Sequence, residues 1–225
     1  AMVEMLRFML KMKPNSGNAL LQLGNHYERT GELEKALESY RKLTWGSWHG
    51  EAQTRIQDMV NKKLILVTER VFRINEKARV KVTLRNIEKL TVNVYRVDLE
   101  AYWRKMHGIK GVEKLDIALI APDNTWEYQL PEYQKYKLFY EEIEIPIEAA
   151  GVYVVNLGEE DLEATTLVIR SDIDAIIKTS RREVLVFAQD MLAGKPAPGA
   201  KVLVSDGSKV IGEGETGENG VFHSK

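Results

Sequence analysis

The spacing of apolar residues changes once along the chain. Up to about residue 63 they recur every three or four positions, which is typical of helices. From Leu64 onward they alternate with polar residues, as in Ala78-Arg-Val-Lys-Val-Thr-Leu84, which indicates half-buried strands. The change predicts a helical segment followed by a β-rich region.

Further alternating runs predict the other strands, and the region between Val97 and Leu115 leaves room for a short helix at Asp98–His107. Turns such as Pro-Asp-Asn separate the runs, and no long helical crossover lies between them. These features favour antiparallel sandwiches in a segregated α+β fold. The predicted strands are Val92–Val97, Leu115–Ile120, Ile143–Ile147, Val152–Leu157, Thr165–Ile169, Asp174–Lys178, Val184–Ala188, Ala200–Ser205 and Val210–Glu215.

The predicted domains are a helical segment at 1–63, a sandwich at 64–170 and a second, truncated sandwich at 171–225. A strand that opens at Val221 has little left to pair with before Lys225. We therefore expect the chain to be a piece of a longer protein, with the last domain its least stable part.

The helical segment has the spacing of a tetratricopeptide repeat. Gly24 and Ala36 would let two helices pack closely, Tyr27 and Tyr40 supply the aromatic positions, and Pro14 stands where a preceding repeat would end. Trp48 replaces the proline usual at the end of the second helix. An ordinary helical hairpin remains the alternative.

Composition narrows the functional classes. The 225 residues carry 32 Lys and Arg against 33 Asp and Glu, so a net charge of -1 gives no electrostatic reason to expect nucleic acid as a partner. No apolar run reaches the length of a membrane span, and the amino terminus lacks the pattern of a signal peptide. With no cysteine, disulfides, thiolate metal sites and thioesters are excluded within these residues.

Four sequence stretches together resemble consecutive macroglobulin-type domains of bacterial alpha-2-macroglobulin-like proteins. They are "VFRINEKARVKVTLRNIEKLTVNVYRVDLEAYWRK", "GVYVVNL", "LEATTLVIRSDIDAIIKTSRREVLVFAQDMLAGKPAPGAKVLVSDG" and "GEGETGENGVF", within residues 65–225. The resemblance implies a long extracytoplasmic chain of sandwich modules, located in the periplasm or at the cell surface. In complete members of the family a protease cuts a bait segment, and a Cys-x-Glu-Gln thioester then captures that protease covalently. Neither the bait segment nor the thioester lies within these residues. The implied function is structural, as amino-terminal scaffold of a protease-trapping inhibitor, with other domains of the same chain as partners.

The residues offer no set of acid, base and nucleophile, so we expect no enzyme, no catalytic residue, no cofactor and no metal site. The four histidines are scattered in the sequence. The acidic runs Glu141–Glu144 and Glu159–Asp161 lack the spacing of a calcium loop, and a solvated strand face is the favoured interpretation. The glycine-rich stretch 212–220 carries three glutamates that would repel phosphate, which makes it a turn.

Two binding alternatives remain open. Aromatic residues between Trp126 and Tyr140 could form a platform for glycan or peptide, although sandwich cores and joints also use such residues. A groove of the repeat helices could bind a peptide through Asn18, Asn25 and Arg29. Trp45 and Trp48 are expected to plug the joint between the helices and whatever packs on them.

Overall fold

The structure is a computed structural model that describes residues 2–108, 111–112 and 120–225. It contains five helices among these residues, four of them before the first strand. They are α1 (Met2–Met12), α2 (Gly17–Arg29), α3 (Leu33–Arg41), α4 (His49–Val60) and α5 (Leu99–Met106). The predicted change from helix to strand is confirmed, and α4 ends three residues before the predicted boundary at 63.

The strands of the described residues are arranged in four sheets. They are β1 (Lys63–Val67), β2 (Ala78–Arg85), β3 (Lys89–Val97), β4 (Asn124–Gln129), β5 (Leu138–Ile145), β6 (Gly151–Glu159), β7 (Leu162–Arg170), β8 (Ile173–Thr179), β9 (Val184–Asp190), β10 (Lys195–Pro196), β11 (Lys201–Ser205), β12 (Val210–Glu215) and β13 (Val221–Ser224). The sheet orders are β1-β2-β5 and β4-β3-β6-β7, then β9 flanked by β8, β10 and β13, and finally the hairpin β11-β12. The α+β class with antiparallel β-sandwich domains is confirmed.

The chain divides into two compact units. One comprises Ala1–Ile65, Val82–Leu90 and Tyr128–Glu141, and the other comprises Leu66–Lys81, Thr91–Glu127 and Glu142–Lys225. The boundaries predicted at 63/64 and 170/171 stay predictions.

In the first unit the helices share one apolar core, to which Leu21, Ala36 and Tyr40 contribute. A Cβ atom on Gly24 would lie 2.3 Å from the ring of Tyr40, so only glycine permits this approach of α2 to α3. The Tyr40 hydroxyl lies 2.7 Å from Asn25 Oδ1 and 2.8 Å from a carboxylate oxygen of Glu28. Burial, with the nearby Glu28 carboxylate, raises the pKa of Tyr40. The close packing agrees with the predicted repeat, whose identity stays a prediction.

The second unit contains a strand that is buried on both faces. β6 pairs with β3 on one side and β7 on the other, and its residues Val152–Leu157 are all buried. Helix α5 covers one face, where Leu99 and Tyr102 pack against Tyr95 and Val154. The predicted helix at Asp98–His107 is confirmed, and the Asp98 carboxylate caps it by accepting from the Ala101 N–H at 3.0 Å.

Three strand predictions need comment. The expectation that a strand from Val221 has little to pair with is wrong, because β13 pairs antiparallel with β9 along its whole length. The strand predicted at Ile143–Ile147 begins earlier and ends at Ile145. The strand predicted at Leu115–Ile120 lies almost entirely outside the described residues.

Candidate functional site

For a chain predicted to act as a scaffold, the candidate site is the set of polar contacts that hold its elements together. Three such contact sets are present among the described residues. We call them the α4–β2 joint, which lies in the first unit, and the β7–β8 joint and the α5 network, which lie in the second.

The α4–β2 joint is built on Asn86, which follows β2 in a left-handed conformation with φ of 57°. Its side-chain Nδ2 donates to the carbonyl of Met59 at 2.8 Å and to that of Asn61 at 3.2 Å. Its Oδ1 accepts from the Tyr136 N–H at 2.7 Å. One side chain thus caps the carboxyl end of α4 and also holds the loop before β5.

Arg85 reinforces the same joint. Its guanidinium donates to the Asp58 carbonyl, another acceptor in the last turn of α4. Carbonyls at the end of a helix have no partner within the helix, and the helix dipole makes this end favourable for a cation. The last turn of α4 therefore takes its hydrogen bonds from the end of β2.

The β7–β8 joint is built on Arg170, the last residue of β7, which is only 4% exposed. Its guanidinium donates to the carbonyls of Ile147 and Ile74, and to that of Glu76 at 3.0 Å. No carboxylate lies within ion-pair distance of Arg170 among the described residues. A buried cation therefore takes its compensation from backbone carbonyls.

Arg73 makes the reverse connection, from the 72–76 loop to the start of β8. It donates to the Ser171 carbonyl at 2.8 Å and to Asp174 Oδ2 at 2.6 Å. The Ile74 N–H donates to Asp172 Oδ1 at 2.9 Å. Together with Arg170, these bonds fasten the segment between β7 and β8 to the 72–76 loop from both sides.

The backbone completes this joint. The Phe72 N–H donates to the Ile169 carbonyl and the Ser171 N–H donates to the Phe72 carbonyl, both at 2.9 Å. Within the loop, Glu76 accepts from Arg70 at 2.7 Å and from the Arg73 N–H at 2.7 Å. These two bonds, the Arg70 contact above all, lower the pKa of the Glu76 carboxyl.

The α5 network connects α5 to the hairpin β11-β12 through exposed charges. Arg104 donates to Glu100 Oε1 at 3.0 Å and to Glu213 Oε2 at 3.1 Å. Lys201 donates to Glu100 Oε1 at 2.8 Å. The bond from Lys201, followed by that from Arg104, lowers the pKa of Glu100, and Arg104 lowers the pKa of Glu213.

The acidic residues on β5 carry ion pairs. Glu144 pairs with Lys77 at 2.8 Å and Glu142 pairs with Arg79 at 3.7 Å. Ile143 and Ile145 on the opposite face are buried. The arrangement is the solvated strand face that alternation predicts.

The histidines lie apart from one another, as the sequence suggests. His49 Nδ1 lies 2.9 Å from the Leu43 carbonyl, and His223 lies 3.6 Å from Glu183. His26 and His107 are half-buried. Within residues 2–108, 111–112 and 120–225, no three His, Asp or Glu side chains group closely enough to hold a metal ion.

The aromatic residues from Trp126 to Tyr140 differ in their surroundings. Phe139 is buried, Tyr136 packs against the helical core, and the Tyr128 hydroxyl donates to Glu141 at 3.3 Å. Tyr140 is 74% exposed. Phe139 and Tyr136 therefore serve packing, and a binding platform at the other aromatic residues stays a prediction.

The tryptophans after α3 remain partly open to solvent. Trp45 is 39% exposed and Trp48 is 41% exposed. Their predicted role in a joint stays a prediction.

A cleft of about 380 Å³ lies in the first unit. Residues of helix α2 and of the aromatic segment 126–140, the two candidate binding regions predicted from the sequence, both line it. Arg29 at the end of α2, Arg85, and Lys137 before β5 line it, and Met59 and Leu138 add apolar surface. Of the groove residues predicted from the helices, only Arg29 lies here. Asn25 instead lies beside the Tyr40 hydroxyl, and Asn18 is exposed elsewhere on α2.

Sequence reasoning missed the joint residues themselves. Arg170 ends an alternating strand and looks like an ordinary outward-facing residue, yet it is buried. Its acceptors at Ile74 and Glu76 lie more than 90 positions earlier. Asn86 offered one signal, because asparagine after a strand is common in left-handed turns.

None of the helices in the described part of the chain is both long and apolar enough to cross a bilayer. No protein-family model matches the chain.

Solved structures that share the fold include two of an alpha-2-macroglobulin. The first is native alpha-2-macroglobulin from Escherichia coli spanning domains NIE-MG1, with a TM-score of 0.55 and 15% identity over 74% of this chain and 88% of that one. The second spans domains MG0-NIE-MG1 of the same protein, with a TM-score of 0.58 and 15% identity over 73% of this chain. This chain covers 57% of that longer structure. The chain thus has the fold of amino-terminal alpha-2-macroglobulin domains.

Proposed function

We propose that the chain is a scaffold segment of an alpha-2-macroglobulin-like protein of the bacterial envelope. The likeness of fold to the Escherichia coli domains supports this proposal. In this role its partners are other domains of the same longer chain. The proposal gives the chain no catalytic residue, cofactor or metal.

The β7–β8 joint is the observation that carries the proposal. A scaffold must hold consecutive elements in one geometry, and a buried guanidinium bonded to three carbonyls allows few alternatives. A flexible linker between independent binding modules would instead be exposed and poor in hydrogen bonds. The polar contacts around Arg170 and Arg73 favour the scaffold role.

We propose further that the complete protein traps proteases. The test uses the complete protein that contains this chain, incubated with trypsin and separately with radiolabelled methylamine. A trap should show a large mobility shift after cleavage, and one that keeps a thioester should also incorporate the amine. If neither protease nor amine changes the protein, the trapping role is contradicted, while the scaffold role is tested separately by the rigidity of the β7–β8 joint.

A second candidate function is peptide binding in the cleft beside α2. Arg29, Arg85 and Lys137 face one acidic lining residue, Glu28, which already contacts the Tyr40 hydroxyl. This charge balance favours a peptide that carries carboxylates over a neutral glycan. Fluorescence anisotropy with a labelled Glu- and Leu-containing octapeptide should detect binding that Arg29→Glu weakens at least tenfold, and an unchanged affinity would contradict this candidate.

A further inference from the structure

The turn before β13 holds two neighbouring residues that can react with each other. Asn219 and Gly220 form the only Asn-Gly sequence in the chain. In such a pair the backbone nitrogen of the glycine can attack the side-chain amide carbon of the asparagine, because the glycine has no Cβ atom to shield its nitrogen. Asn-Gly is therefore the sequence at which an asparagine loses its amide nitrogen most readily.

Hydrogen bonds hold both reacting groups in the folded turn. The Gly220 N–H donates to the Gly217 carbonyl at 2.8 Å, and the Gly217 N–H donates to the Val221 carbonyl at 3.0 Å. The Val221 N–H donates to Asn219 Oδ1 at 3.1 Å. The nitrogen that would attack and the amide that would be attacked are thus both engaged.

Gly220 is also held against β9. The Ala188 N–H donates to the Gly220 carbonyl at 2.8 Å, which extends the pairing of β13 with β9 by one residue. A Cβ atom on Gly220 would lie 2.5 Å from the Ala188 carbonyl oxygen and 2.9 Å from Cβ of Pro196. The main chain at Gly220 therefore has little room to shift.

We propose that Asn219 is a deamidation site that reacts only when this turn opens. The Gly220 nitrogen attacks Asn219 Cγ and loses its proton, and ammonia leaves, so that a succinimide ring forms. Water then opens the ring at either carbonyl, which gives aspartate or isoaspartate. The ring nitrogen carries no hydrogen, so ring closure must break the bond from the Gly220 N–H to the Gly217 carbonyl. The rate should therefore follow the population of the open turn.

The isoaspartate product should keep the turn open. In isoaspartate the main chain runs through the former side chain, so one more carbon atom separates position 219 from Gly220. Because Gly220 has little room beside Ala188 and Pro196, β13 should no longer pair in register with β9. Deamidation would thus convert a transient opening of this sheet into a lasting loss of β13.

The amount of isoaspartate formed in the full chain tests the site. A protein isoaspartyl methyltransferase with a radiolabelled methyl donor measures it, and peptide mapping locates it. In mildly alkaline buffer, position 219 should react at least about tenfold faster in the urea-unfolded chain than in the folded chain. Asn219→Gln should stay unmodified in both, because glutamine must close a larger ring. Equal rates in the folded and unfolded wild type, or no isoaspartate in the unfolded one, would overturn the proposal.

Thr216 offers a variant that loosens the turn without touching the reacting groups. Its side chain is buried, and its hydroxyl donates to the Ala197 carbonyl at 2.6 Å and accepts from the Ala200 N–H at 2.9 Å. Thr216→Val leaves both groups without these bonds, so Asn219 in the folded chain should react at least about fivefold faster. Ser208→Ala, which removes an exposed hydroxyl from the turn after β11, should react like the wild type. A Thr216→Val rate equal to that of the wild type would contradict the control by the turn.

Hydrogen exchange tests the effect on β13. The isoaspartate form carries one more negative charge than the wild type, so ion-exchange chromatography separates it after deamidation in urea and refolding. Its β9 amides should exchange faster than those of the wild type. Asn219→Asp is the matched control, because it has the charge of the product and an ordinary main chain, and it should keep the wild-type protection. Unchanged protection in the isoaspartate form, or an equal loss in Asn219→Asp, would contradict the predicted loss of β13.

Discussion

Two arginines of the second unit perform similar tasks in different surroundings. Arg170 is 4% exposed and bonds to backbone carbonyls, whereas the Arg104 side chain is 39% exposed and bonds to carboxylates. Carbonyls of the main chain are fixed in place, whereas the carboxylates of Glu100 and Glu213 lie at the surface, where water can replace them as hydrogen-bond partners of Arg104. The buried arginine should therefore determine the geometry, and the exposed one should add little.

The largest expected effect is that of Arg170→Met. The substitution removes the donors and leaves the carbonyls of Ile147, Ile74 and Glu76 without these bonds in a partly buried site. We expect the free energy of unfolding to fall by about 3 kcal/mol. Urea denaturation measures it, with Arg104→Met as the matched control. Equal losses in the two variants would contradict the distinction between buried and exposed arginines.

The next effect concerns Asn86, the half-buried residue that holds the α4–β2 joint of the first unit. Asn86→Gly keeps the left-handed backbone and removes three hydrogen bonds, so we expect a loss of about 2 kcal/mol. Asn86→Ala should cost about 1 kcal/mol more, because alanine is strained at this φ. Urea denaturation of both variants separates the bonds from the strain. If Asn86→Gly is as stable as the wild type, the side chain does not hold the joint.

The smallest effect is that of Arg104→Met, with a Tm change of less than about 2 °C. It should also depend on pH. The folded pKa values of Glu100 and Glu213 lie below the ordinary value of 4.5, so their stabilising contribution is complete above that pH and is lost as pH falls through the folded values.

Calorimetry of the wild type and of Arg104→Met at pH 7 and pH 3 measures this dependence. The difference between the two proteins should be smaller at pH 3 than at pH 7, and it should vanish in 1 M salt, which screens exposed charges. The destabilisation by Arg170→Met should persist in high salt. If the destabilisation by Arg104→Met is unchanged at pH 3 and in 1 M salt, side-chain packing rather than charge stabilises the α5 network.

Much of the fold follows from local patterns in the sequence. The alternation at Ala78–Leu84 gives β2 and its buried face, and the spacing around Gly24 and Tyr40 gives two closely packed helices. Strand β4 went unrecognised, because its aromatic residues also suit a binding platform. The local pattern therefore predicts helices and strands better than it predicts the role of their residues.

Long-range pairing is what the sequence could not supply. β13 finds its partner in β9, more than 30 residues earlier, and nothing in the Val221 region indicates this partner. Arg170 finds carbonyl acceptors, which every residue type provides, so no side-chain motif records the contact. A sequence pattern therefore does not reveal a joint whose acceptors are backbone carbonyls, even where that joint determines the geometry.

The central claim is that the β7–β8 joint holds its elements in one arrangement. The chain has no cysteine, so Glu163→Cys on β7 and Lys209→Cys before β12 can carry the only two spin labels. Double electron–electron resonance between them should give one narrow distance distribution in the wild-type background, which broadens when Arg170→Met is added. A broad distribution with Arg170 present, or a narrow one unchanged by its loss, would contradict the scaffold account.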